Sequence, residues 1–246
     1  MSIKKILISQ NQPMAASPYT NIEQKYGVSF EFKPFFKMEP LSSRDFRAQR
    51  INILDHTAIV FSARTTIDAF FTLCEELRVK VPETMKYFCT TEAVANYLQK
   101  HIVYRKRKIF FGDGTPESVI GLIGTKHKGE NFLIATAESS SKDALTKLFE
   151  TSTLSHETAV FVKPVSKDLK SIDLHGYDVL VLFNPADVKS LYENYPDFTQ
   201  GDIKFVSYGR SIVKAMEEAG LSIEISAPTA EAPSVAKALE LYLSKN

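Results

Sequence analysis

Apolar and polar positions along this chain fall into a repeated unit: a short run rich in Ile, Val and Phe, a small or polar break, then a stretch with apolar residues three and four apart. The first part suits a buried strand and the last an amphipathic helix. Residues 3–9 predict the first strand; Ser17 and Pro18 cap and start a helix that runs to Tyr26, and Gly27 ends it. The next strand is 28–32. A strand at 57–61 precedes a helix at 66–77 whose Ile67, Phe70, Phe71 and Cys74 share one face. KYFCTTEAVANYLQKH repeats the unit, with Thr90 and Thr91 at the cap. Strands at 108–111 and 131–135 flank a helix at 116–123, and another helix covers 142–149. DVLVLFNPADVKSLYENY, IKFVSYGRSIVKAMEEAG and LSIEISAPTAEAPSVAKALELYL give three more units. About nine strands alternating with helices imply parallel sheets, because each crossover helix returns the chain in the same direction.

Two segments break this rhythm. FKPFFKMEP (32–40) and VFVKPVSKD (160–168) are apolar and extended, and neither leads directly into a capped helix. Pro34 and Pro164 keep the backbone stiff. Paired side by side they form a two-stranded linker, giving an α/β protein of two domains with parallel sheets flanked by helices, one domain inserted in the other. The discontinuous domain is 1–34 with 165–246 and the insertion is 35–164. The alternative makes both segments edge strands of one continuous sheet.

Composition removes several function classes. Hydrophobic residues are 44% and charged residues 24% of 246, as in ordinary globular proteins. Thirty basic against 29 acidic residues leave +1, so no global field draws the chain to nucleic acid or an anionic membrane. The dense basic run YRKRK (104–108) reads either as a solvated connection or as a local attractor of polyanions. Cys74 and Cys89 sit in apolar segments, and neither they nor the five histidines show metal spacing. There is no GxGxxG, GxxxxGK[ST] or GxSxG; Gly112-Asp113-Gly114 is a turn signal. The first apolar stretch is too short for a signal peptide or membrane span, so a soluble cytoplasmic protein is expected.

The order of motifs resembles the uroporphyrinogen-III synthase family across nearly the whole chain. The carrying segments are KKILISQNQP with SPY, FEFKPFFKMEP, AIVFSARTTIDAFFTLCEEL, KYFCTTEAVANYL, VLVLFNPADVKSL, and FVSYGRSIVKAMEEAGL followed by SAPTAEAPSVAKALE. FSARTTI, FNPADV and GRSIVKAMEEAGL stand where the family shows F-T-S-x-x-A-V, F-x-S-P-x-G and G-P-T-T-A-x-A-x-x-x-G-L types of segment. The resemblance implies two α/β domains on a two-stranded linker and a cleft for the substrate. It also implies a cyclising hydro-lyase of tetrapyrrole, porphyrin and heme biosynthesis, converting hydroxymethylbilane to uroporphyrinogen III with loss of water and D-ring inversion. Neither metal nor organic cofactor is expected, nor a nucleic-acid or membrane partner; a monomer is. The alternative is a weak or inactive homologue that binds a tetrapyrrole or small anion.

A substrate with many carboxylates has to be gripped by many donors. Helix N-termini supply unpaired N–H groups and partial positive charge. Four candidates follow carboxyl ends of predicted strands: Ser62-Ala63-Arg64, Thr90-Thr91, Asn184-Pro185-Ala186 and Gly209-Arg210-Ser211. Ser62, Thr90, Asn184 and Ser211 can equally be ordinary caps. Arg64 and Arg210 are candidate carboxylate partners, against ordinary solvated arginines. The resemblance also implies a linker tyrosine that assists loss of the hydroxyl; Val162 stands there, beside Phe161. Ile212 stands at a family threonine. Tyr208 is the one candidate replacement acid, with packing in its own domain as the other reading.

Overall fold

The computed structural model describes residues 3–14, 17–138 and 144–245. The chain opens with β1 (Lys5–Ile8), α1 (Pro18–Tyr26) and β2 (Ser29–Phe32), then β3 (Phe36–Pro40) and α2 (Ser43–Ala48). Four strand-helix pairs follow: β4 (Ala58–Phe61) with α3 (Arg64–Glu76), β5 (Lys86–Cys89) with α4 (Glu92–Tyr97), β6 (Ile109–Phe111) with α5 (Pro116–Ile123), and β7 (Phe132–Ala137) with α6 (Ala144–Thr151). After the long strand β8 (His156–Ser166) come β9 (Val179–Leu182) with α7 (Pro185–Asn194), β10 (Lys204–Tyr208) with α8 (Arg210–Glu218), and β11 (Ile223–Ala227) with α9 (Val235–Leu243). No described helix is long and apolar enough to cross a membrane.

The chain forms two compact units, Met1–Lys37 with Pro164–Asn246, and Met38–Lys163. In the first, the sheet order is β11-β10-β9-β1-β2, with parallel neighbours. Its central strands β1 and β9 read as apolar runs because both faces are covered, whereas the edge strands β2 and β11 alternate. Ile6, Ile8, Val179 and Val181 meet α1 and α9 through Ile22, Val235 and Leu239. On the other face Leu7, Leu180 and Leu182 meet α7 and α8 through Val188, Leu191, Ile212 and Met216.

The second unit has the order β3-β8-β7-β4-β5-β6. β4 to β8 pair with one another in parallel. α3 and α4 pack on one face with Ile67, Phe70, Leu73 and Ala95, and α5 and α6 on the other with Val119, Ile123, Leu145 and Phe149. In both sheets the strand order reverses, beside β1 in one and beside β4 in the other, and the carboxyl ends of the strands at such a reversal are where α/β proteins usually bind ligands.

The chain crosses between units inside β3 and inside β8. Leu41 N–H donates to Phe161 O and Lys167 N–H to Phe35 O, each at 2.8 Å, so numbering rises along one strand as it falls along the other. The pair is antiparallel. Two elements correct the reading of the sequence. FKPFFKMEP does lead into a capped helix, α2, whose Ser42 accepts from the Asp45 N–H. α3 begins at Arg64, two residues before the expected start. Residues 142 and 143, expected to start the helix at 142–149, lie outside the described residues, and α6 runs from Ala144 to Thr151.

Candidate functional site

Each candidate terminus follows the carboxyl end of a parallel strand: α3 after β4, α4 after β5, α7 after β9, α8 after β10. In the inserted unit β4 and β5 are neighbours, which places the first turns of α3 and α4 side by side. Thr90 N–H donates to Phe61 O at 3.1 Å, and its hydroxyl to Ser62 O at 3.3 Å. Thr90 is thereby spent on joining the two strand ends. The actual cap of α4 is Thr91, whose hydroxyl accepts from Val94 N–H at 3.3 Å, and the helix has six residues. α3 differs. Its cap residue is Ala63, with extended backbone and no side chain able to accept. Exposed Ser62 precedes the cap rather than forming it. The first turn of this 13-residue helix therefore keeps its N–H groups free of any side-chain cap.

Arg64 opens that helix, and its guanidinium lies 5.5 Å from the centroid of the Tyr97 ring. The ring is tethered. Tyr97 donates to Asp68 at 2.7 Å, and Asp68 also takes His101 Nε2 at 2.8 Å and Lys100 Nζ at 3.0 Å. These donors, Tyr97 first among them, hold the Asp68 carboxyl below its usual range against the opposing pull of burial. Phe71 stacks on His101, centroids 4.6 Å apart. Parked on an aromatic face and making no ion pair with the described residues, exposed Arg64 keeps its planar donors available.

In the other unit the contrast repeats. α7 closes on itself: Asn184 accepts from Ala186 N–H at 2.9 Å, and Asp187 accepts from Asn184 N–H at 3.0 Å, a capping box. Asp187 also accepts from Phe183 N–H at 2.9 Å and from the Ser9 hydroxyl at 2.8 Å, which pins the end of β1 to the β9-α7 turn. It is fully buried, and its Oδ1 has no partner among the described residues. Burial pushes its carboxyl up to about 6, against the pull of those three donors. Asp187 was not singled out from the sequence, although an acid three residues after an N-cap asparagine is a recognisable sign. α8, in contrast, is capped by Gly209, again with no side-chain bond. Gly209 has φ 103° and ψ 159°, a conformation that a side chain disfavours. Arg210 and Ser211 are exposed on the first turn of α8, and Ser211 is not the cap. Pro185 and Ala186 start α7 beneath the closed box.

The phenol and the two apolar replacements are all packed. Tyr208 is half-buried, 6.0 Å from the Phe183 ring, with its hydroxyl donating to Pro233 O at 3.4 Å. Phe161 and Val162 are both buried in one core, though adjacent strand residues normally face opposite ways. A register shift in the β7-β8 pair, between Val160 and Val162, accounts for this. Ile212 is fully buried against the sheet. No group of three His, Cys, Asp or Glu side chains among the described residues could hold a metal.

A family model described as uroporphyrinogen-III synthase HemD matches residues 19–237. No curated protein matches the chain. Among solved structures, the uroporphyrinogen-III synthetase of Helicobacter pylori is 18% identical with a TM-score of 0.54, over 99% of this chain and 100% of that one. That likeness shows the two-domain fold. A mutant uroporphyrinogen III synthase of Thermus thermophilus is 14% identical over 99% and 100% of the chains, with a TM-score of 0.49.

Proposed function

Since this chain belongs to the uroporphyrinogen-III synthase family, the cyclising hydro-lyases of porphyrin biosynthesis, we propose that it grips the carboxylates of hydroxymethylbilane chiefly at two uncapped helix N-termini. These are Ala63-Arg64 at α3 and Gly209-Arg210 at α8. The observation that carries this reading is the missing side-chain cap at both, each followed at once by an exposed arginine. Free N–H groups and a guanidinium together suit an anion, whereas the donors of α4 and α7 are already engaged within the protein. Ser62, Thr90 and Ser211 flank the substrate; Thr91, Asn184, Pro185 and Ala186 shape the strand ends.

The reaction asks little of an acid. Departure of the hydroxyl as water, with a proton taken from solvent, leaves a cationic azafulvene, and ring closure then depends on how the chain is curled and how well water is excluded. With Tyr208 turned to Pro233 and a buried Val162 in the linker, the residues supply conformation rather than proton transfer. The chain works as a cytoplasmic monomer without metal, organic cofactor, nucleic acid or membrane. Hydroxymethylbilane generated in situ, with the porphyrins oxidised and separated by isomer, tests the reading: type III should dominate, and type I alone would sink it. A second reading, a binding protein without turnover, is favoured by buried Val162 and Ile212; it requires saturable tetrapyrrole binding with the isomer ratio of the protein-free reaction.

A further inference from the structure

The basic run 104–108 has no part in that reading, and the structure gives it a setting of its own. Lys108 N–H donates to Arg105 O at 2.9 Å, closing a turn, while Lys108 O accepts from Tyr87 N–H at 2.7 Å. The turn therefore lies at the amino-terminal ends of β5 and β6, one strand length (roughly 13 Å) from the end that carries α3 and α4. A cavity of about 200 Å³ opens there, walled by Val81, Met85, Ile102 and Ile109.

Tyr87, Arg105 and Lys108 line the same cavity. Tyr87 is only 5% exposed, yet its hydroxyl has no hydrogen-bond partner among the described residues. Burial pushes the phenol up to about 12, so it stays protonated, a donor at the wall of the cavity. Lys108 is half-buried and makes no ion pair with the described residues. Among the described residues Arg105 pairs only with Glu83, at 3.4 Å, in an exposed pair that contributes little and is readily exchanged.

Apolar walls, an unmet phenol and two cations together define a complementary ligand. We propose that this cavity is a second binding site, for a small aromatic or branched aliphatic monocarboxylate. Its apolar body lies on Val81, Ile102 and Ile109, and its carboxylate accepts from Tyr87 and faces Lys108 and Arg105. A cavity of about 150 Å³ admits benzene, so this one suits a single ring bearing a carboxylate.

Benzoate, titrated into the intact chain and followed by methyl NMR, is the test. Saturable shifts are expected at the methyls of Val81, Ile102 and Ile109. Toluene, lacking the charge, should bind at least about tenfold more weakly, Tyr87→Phe should weaken benzoate by about tenfold, and Lys108→Gln should weaken benzoate alone by about threefold. Tyr87→Phe keeps the ring, so its melting temperature should not fall. The proposal is overturned by shifts that do not saturate, by equal affinity for toluene, or by a Tyr87→Phe protein that binds benzoate as before. Concentration-dependent broadening of the same methyls without benzoate would assign the face to a second copy of the chain and overturn it equally.

Discussion

α3 and α8 contrast with α4 and α7. All four helices follow parallel strands at their carboxyl ends, and all four look alike as sequence: a strand, a small polar break, a helix. In the folded protein Thr91 caps α4, while Asn184 and Asp187 close α7 in a reciprocal box. Ala63 and Gly209 cap nothing with their side chains. The difference teaches that a helix N-terminus at a strand end is an anion site only where the protein has left its donors unspent. In each unit one such terminus is neighbour to one that is satisfied.

The costliest component of the closed class is Asp187, and it offers the largest expected effect. Its folded-state pKa of about 6 lies above the ordinary aspartate value near 3.9. The native state thus binds the proton more tightly than the unfolded chain. The stability from this group is complete below about pH 4 and is lost as pH rises through about 6, by roughly 3 kcal/mol at most. Urea unfolding of the wild type and of Asp187→Asn should show the difference between them shifting in favour of the variant by roughly 2 to 3 kcal/mol from pH 4 to 7.5. A difference that stays flat with pH would show that three donated hydrogen bonds overcome burial at this site, and α7 would then be a charged terminus.

Next in size is the open class. Arg64→Gln and Arg210→Gln should each raise KM for hydroxymethylbilane by about tenfold, the worth of a charge-assisted hydrogen bond, with kcat nearly unchanged. Steady-state kinetics in the coupled isomer assay would read this out. Should KM be unmoved in both variants while type III isomer still forms, the carboxylates are held elsewhere, and family membership stands without this account of its grip.

The contrast was only half legible beforehand. Strand rhythm and the two proline-bearing segments were readable because sheets covered on both faces demand unbroken apolar runs, as in IVF at 59–61 and VLVL at 179–182. Cap identity was not. Ser62 and Ala63, or Thr90 and Thr91, are adjacent residues of suitable type or size, and which one takes the extended cap conformation depends on where the strand lets go. Ser211 lost the role to Gly209, whose positive φ ends the strand two residues earlier than a serine cap would. α2 was missed although Ser42 and Asp45 stand three apart, because the apolar stretch before them drew the reading towards continued strand. The perch of Arg64 on Tyr97 joins two helices 33 positions apart, which local patterning cannot reveal.

The smallest effect sharpens the comparison most, because it is expected in one quantity and not in the other. Thr91→Ala and Asn184→Ala each remove one side-chain acceptor from a first turn, and should each lower stability by about 1 kcal/mol. In Asn184→Ala the Asp187 half of the box persists, since its bonds run to the backbone of Phe183 and Asn184. Neither variant should change KM by more than about twofold, because the lost bond is internal and the liberated N–H group turns to solvent. Denaturant midpoints and KM measured on the same preparations separate the two quantities. A KM that rises in Thr91→Ala as far as in Arg64→Gln would mean that the capped terminus also holds a carboxylate, and that the division between spent and unspent donors fails in the inserted unit.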